Sequence, residues 1–170
     1  MGEAMRGFSI TALWILFILI ETSDAIDGAV ARAMNQVSDL GKLLDPFADV
    51  VARMTYFACL LSASIMPAWT FIIILYREFG MLFVRMMLMK EGIALAAKAG
   101  GKIKAVSYAV ASGLGLLVFS YGSSRPDAAE LRYISWAAQA GFVVSAGLAV
   151  FSFVDYFLIY RSVKSGGKHN

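Results

Sequence analysis

The sequence predicts an all-α protein, a polytopic transmembrane helical bundle of five spans that forms one domain over residues 1–170. Three observations predict it. The chain is 59% hydrophobic and only 16% charged, against about 45–50% and about 25% in soluble domains. At 170 residues a soluble fold leaves too much of its surface exposed to hide that apolar content. The apolar residues fall into long runs without period-2 alternation, which favours helices over a membrane β-barrel. The mean hydropathy of +0.70 excludes an ordinary soluble enzyme and a disordered chain.

The first span is Phe8 to Met34. It lacks a small-residue cleavage site and runs into carboxylates, so it is not read as a signal peptide. The second is Pro46 to Met66, opened by Asp45 as N-cap and Pro46 as first helical residue. Met66-Pro67 separates it from the third, Ala68 to Lys90. Gly100-Gly101 precedes the fourth, Ile103 to Tyr121, and Ser123-Ser124-Arg125-Pro126-Asp127 precedes the fifth, Leu131 to Tyr160. Each run is near the roughly 20 residues needed to cross about 30 Å of hydrocarbon, or longer. Gly113, Gly115, Gly141 and Gly147 are read as points of close helix packing.

Charge placement orients the bundle. Arg32, Lys42, Lys90, Lys98, Lys102, Lys104, Arg161, Lys164 and Lys168 collect on one side. The other side holds Arg6, Arg125 and Arg132, the last two offset by Asp127 and Glu130. The positive-inside rule makes the first side cytoplasmic, with the N-terminus outside and the C-terminus inside. There is no basic patch on a polar background, so no nucleic-acid partner is expected despite an isoelectric point near 9.1. Cys59 is the one cysteine and His169 the one histidine. They predict neither an intrachain disulfide nor a zinc site.

Carboxylates within spans are expensive and mark function. The first span carries Glu21, Asp24 and Asp27 near its end, and the second opens with Asp45 and Asp49. Asp24 and Asp27 share a helical face, as do Asp45 and Asp49. The turn between the spans brings the two faces together near the cytoplasmic interface. Four like charges need protonation or cations between them. All-oxygen donors without His or Cys point to Mg²⁺ or Mn²⁺, and such ions beside headgroups suggest phosphate chemistry. Gly28 and Ala31 leave room beside the acids. The plainer reading is of interfacial, solvated acids with small residues for packing.

The pattern Asp24-x2-Asp27-Gly28-x2-Ala31-Arg32-x8-Gly41-x3-Asp45-x3-Asp49 resembles the signature of the CDP-alcohol phosphatidyltransferase family at every specified position. Gly41-Lys-Leu-Leu-Asp-Pro-Phe-Ala-Asp49, Arg77-Glu78-Phe79 and Gly101-Lys102-Ile103-Lys104 are similar to its phosphatidylglycerophosphate synthase branch. The resemblance runs from about residue 12 to 160. There are two departures. The family has six spans, so the chain is expected to be one helix short, before the signature-bearing one. The residue after the last aspartate, often Lys in this branch, is Val50, with Arg53 one turn on.

The resemblance implies transfer of a phosphatidyl group from CDP-diacylglycerol to sn-glycerol 3-phosphate, releasing CMP. It implies two Mg²⁺ or Mn²⁺ ions on Asp24, Asp27, Asp45 and Asp49, with Asp49 as general base. Asp27, Gly28, Ala31 and Arg32 would line the CMP part. Arg77 and Arg85, about 80° apart on the third span, and Lys104 are the expected cations for the acceptor phosphate. Glu78 is expected to orient Arg85, and Asp155 to pair across the bundle or bond locally. A homodimer among membrane lipids is expected, in a bacterial cytoplasmic membrane with the site on the cytoplasmic side. The alternatives are the same chemistry on inositol phosphate, serine or phosphatidylglycerol, a divalent-cation transporter, or an inactive assembly partner.

Overall fold

A computed structural model describes the backbone of residues 3–34, 39–90 and 99–166, and the side chains of 7–22, 46–89 and 103–158. The described residues form five helices: α1 (Glu3–Met34), α2 (Asp39–Ser62), α3 (Ala68–Lys90), α4 (Ala99–Ser124) and α5 (Ala129–Gly166). Among the described residues there is no strand. The shortest helix, α3, has 23 residues, about 35 Å of rise, so each is long enough to cross a bilayer core.

The third helix spans the expected residues. The others differ at their ends. α2 begins at Asp39, not at Asp45, so Pro46 lies inside the helix. Pro46 has no backbone N–H, so the helix lacks one bond there, to the Lys42 carbonyl. α2 also stops at Ser62 rather than Met66. Ser64 takes a left-handed φ of 58°. Its N–H donates to the Leu61 carbonyl at 2.9 Å, and Ile65 N–H donates to the Leu60 carbonyl at 3.0 Å. This is a Schellman stop, and the packing of Ile65 against the cluster that contains Leu60 is its usual apolar clasp. α4 takes Gly100 and Gly101 into its first turn and Ser123 and Ser124 into its last. Arg125 N–H donates to the Tyr121 carbonyl, and a turn with Pro126 at its second position closes from Ala128 N–H to the Arg125 carbonyl.

α4 and α5 pack most extensively, α5 also covers α3, and α2 lies on α3 and α4. The core is centred on Phe57, fully buried, with ring contacts to Tyr56, Tyr108 and Phe142 at centroid distances of 5.0, 5.5 and 6.1 Å. Val50, Met54, Phe57 and Leu60 supply one stripe of α2, and Ala138, Phe142, Ala146 and Ala149 one stripe of α5, each at helical spacing. Small residues set two close approaches. A Cβ on Gly141 would lie 3.3 Å from the Ala111 Cβ, and one on Gly115 would lie 3.0 Å from Leu60 and 3.2 Å from Phe142. Gly113 meets only Phe17 at ordinary contact distance, and Gly147 faces open space. The packing role expected for these two is corrected.

The outward surface is apolar: Phe8, Tyr76, Phe83 and Phe151 are largely exposed. Ile103–Ser124 and Ala129–Leu158 are long and apolar enough to cross a membrane, and only 33% of each window is buried inside the protein. Core helices of soluble proteins hide such surface. Here it faces outward, as hydrocarbon solvent allows.

Candidate functional site

The signature aspartates lie on the helices the sequence placed them on. Asp24 and Asp27 fall in the last third of α1, with Gly28, Ala31 and Arg32 beyond them, and Asp45 and Asp49 fall in the first half of α2. The side chains of Asp24, Asp27, Gly28, Ala31, Arg32 and Asp45 lie outside the described residues. Asp49 is exposed and engaged with a neighbour. Among the described residues no three His, Cys, Asp or Glu side chains gather in one place. The four signature carboxylates are an all-oxygen set whose chemistry fits a hard divalent cation.

One described bond bears on how those stretches meet. The Tyr56 hydroxyl donates to the Glu21 carboxylate at 3.1 Å, and the Phe17 ring packs edge-on against Tyr56. Asp24 is three residues beyond Glu21, and Asp49 is seven residues before Tyr56. These steps are about 4.5 Å and 10.5 Å of helix, both toward the α1–α2 connection. The bond therefore ties α1 to α2 just behind the aspartate-bearing turns.

A second polar centre lies deeper. Arg77 and Glu78 on α3 and Lys104 on α4 are 8%, 4% and 6% exposed. Glu78 Oε1 accepts from Arg77 Nη1 at 2.9 Å, Lys104 Nζ at 2.6 Å and the Tyr108 hydroxyl at 3.1 Å. Arg77 Nη2 donates to Ser152 Oγ on α5 at 2.9 Å. Lys104 also stands 4.8 Å over the Tyr108 ring, and the Arg53 guanidinium lies 6.0 Å from the same ring. Arg53 is one turn past Asp49, so α2 carries the signature up to this centre. Val50, between them, points into the core.

Among the described residues two buried donors remain unsatisfied: Arg77 Nε and Arg85 Nε. Arg77 and Lys104 bring two positive charges to one carboxylate. Buried charges are normally matched and hydrogen-bonded, so among the described residues this centre has more cation and donor than its carboxylate takes up.

Of the expected acceptor cations, Arg77 and Lys104 meet on Glu78. Arg85 does not join them, being eight residues along α3 from Arg77, about 12 Å. Glu78 holds Arg77 and Lys104 rather than Arg85, because seven residues of helix separate it from Arg85. Asp155 is half-buried on α5. Tyr108, Ser152 and Tyr56 lie outside the residues that the sequence singles out. The one-turn spacing of Lys104 and Tyr108 was a signal for the first. An apolar groove of about 370 Å³ runs beside Tyr56 between α1, α2 and α4, lined by Leu13, Leu16, Ala52, Cys59, Leu116 and Phe119 among others.

Residues 4–154 match the family model of the CDP-alcohol phosphatidyltransferases. A Treponema pallidum protein named CDP-diacylglycerol–glycerol-3-phosphate 3-phosphatidyltransferase is 38% identical over 148 residues, 84% of this chain. A Bacillus subtilis protein of the same name is 41% identical over 90 residues, 53% of this chain. A Streptomyces coelicolor protein named cardiolipin synthase (CMP-forming) is 37% identical over 81 residues, 46% of this chain. The matched regions span 66%, 47% and 38% of those three relatives.

Proposed function

The chain belongs to the CDP-alcohol phosphatidyltransferase family, and on that premise we propose that it transfers a phosphatidyl group from CDP-diacylglycerol to sn-glycerol 3-phosphate, releasing CMP. The names of the Treponema and Bacillus relatives support the acceptor. The observation that carries it is the buried centre in which Arg77 and Lys104 share the Glu78 carboxylate, with Arg77 Nε unsatisfied among the described residues. A phosphate on a small alcohol supplies both the charge and the acceptor oxygens.

In this reading Asp24, Asp27, Asp45 and Asp49 hold two Mg²⁺ or Mn²⁺ ions, which neutralise charge on the liponucleotide diphosphate. Asp27, Gly28, Ala31 and Arg32 contact the CMP part. Arg77 and Lys104 bind the acceptor phosphate, and Arg85 offers a further guanidinium on the same helix. Asp49 takes the proton from the acceptor hydroxyl. That oxygen bonds to the phosphorus bearing the lipid, the bond from this phosphorus to the CMP oxygen breaks, and CMP leaves. The groove beside Tyr56 offers an apolar exit for the lipid chains. A homodimer in a bacterial cytoplasmic membrane, with the site on the cytoplasmic side, completes the proposal; the basic residues clustered on one side support that orientation.

The similarity to a cardiolipin synthase raises phosphatidylglycerol as a second acceptor. The test is direct. Purified protein with CDP-diacylglycerol, Mg²⁺ or Mn²⁺ and labelled glycerol 3-phosphate should release CMP and label a lipid. No CMP under conditions where a longer relative turns over overturns the proposal, and CMP released only with phosphatidylglycerol selects the second acceptor.

A further inference from the structure

The buried centre is built around a carboxylate that the proposed reaction does not use. Three donors converge on one oxygen of Glu78: Arg77 Nη1, Lys104 Nζ and the Tyr108 hydroxyl. They come from two helices, and Ser152 on a third holds the other Arg77 terminal nitrogen. Both terminal nitrogens of Arg77 are thereby fixed, so its guanidinium plane is set and its buried Nε–H is left over. Lys104 has three N–H donors and directs one at Glu78. A cluster serving only to hold helices together would balance its charges, because an unmatched buried cation is destabilising. Here, among the described hydrogen bonds, two cations share one carboxylate.

We propose that Glu78 is a positioning residue for the acceptor: it holds Arg77 and Lys104 as one preformed site for a phosphate monoester. This rests on the reading that a phosphorylated alcohol is the acceptor. Without the carboxylate, two adjacent buried cations repel, and the flexible Lys104 stem carries its ammonium away. With it, the cations stay in place before the ligand arrives, and binding spends little on ordering them. The Tyr108 hydroxyl donates to the same oxygen and braces the carboxylate against turning. An acceptor without a phosphate finds no use for the surplus donors.

The test is calorimetric titration of glycerol 3-phosphate into the detergent-solubilised full chain, with glycerol as control. The wild type should bind glycerol 3-phosphate and not glycerol. Glu78→Gln should weaken binding at least tenfold, Tyr108→Phe two- to fivefold, and Glu78→Asp should recover part of the loss. In turnover, the KM for glycerol 3-phosphate should rise in Glu78→Gln while the KM for CDP-diacylglycerol moves less than twofold. Wild-type protein that does not bind glycerol 3-phosphate overturns the proposal. So does Glu78→Gln binding as tightly as wild type, or losing both substrates together with a lowered Tm. If Glu78→Gln does not fold, Tyr108→Phe decides, and unchanged affinity there overturns it. Binding without CMP release sinks the transferase reading and leaves this site standing.

Discussion

Tyr56 on α2 donates its hydroxyl proton to Glu21 on α1 across 3.1 Å, the described polar bond between the two helices that carry the aspartate signature. Its loss should be felt in stability. Tyr56→Phe leaves the half-buried Glu21 carboxylate without this donor, and the expected cost is about 1–3 kcal/mol. Thermal unfolding in detergent measures it. Glu21→Gln, which keeps an acceptor for Tyr56 without the charge, should cost less than Tyr56→Phe. If Glu21→Gln is the worse of the two, the charge and not the bond matters.

Ser64 offers a change in the opposite direction. It stands at the left-handed position of the Schellman stop with φ 58°, where a Cβ crowds the backbone. Ser64→Gly should stabilise the protein by about 0.5–1 kcal/mol, and Ser64→Val should destabilise it. Equal midpoints for Gly and Val would show that the turn is not held in that conformation.

The stop also shows where sequence reasoning ended short. Glycine is the usual sign of a left-handed helix end, and position 64 is Ser, so the sequence marks the end of α2 at the more visible Met66-Pro67. Periodicity along one helix relates Glu78 to Arg85, but its partners Lys104 and Tyr108 come from α4, and no pattern within α3 reveals them. The signature itself was legible because its spacing is local to two helices. The helix number and the limits of α3 were legible because apolar runs and prolines mark them. Burial of Arg77 was legible from its place mid-run, whereas its partner Ser152, 75 residues away, was not.

Glycine packing separates in the same way. Gly141 would place a Cβ 3.3 Å from the Ala111 Cβ and 3.4 Å from its Cα, and a backbone atom cannot swing aside. Gly141→Ala should therefore destabilise the α4–α5 pair by about 1–3 kcal/mol. Gly147 has nothing within 4 Å, so Gly147→Ala should be neutral or stabilising by up to about 1 kcal/mol through helix propensity. Parallel unfolding of the two variants tests this, and a Gly147 variant as damaged as the Gly141 one would reveal a partner surface on that face of α5.

Asp49 carries the last prediction. It sits one turn before Arg53, the residue that leads from the signature to the buried basic centre, and it is the carboxylate proposed to take the acceptor proton. Asp49→Asn keeps shape and hydrogen-bonding capacity but can neither accept a proton nor hold a cation as strongly. Turnover should fall by at least roughly 10²–10⁴-fold, the usual worth of general base catalysis, with the Tm close to wild type because Asp49 is exposed. A Mn²⁺ titration followed by electron paramagnetic resonance separates the two roles. Weakened Mn²⁺ binding makes Asp49 a ligand, and unchanged binding with lost turnover makes it the base alone. Retained turnover in Asp49→Asn would remove Asp49 from the chemistry altogether, and would leave the three remaining aspartates to account for it.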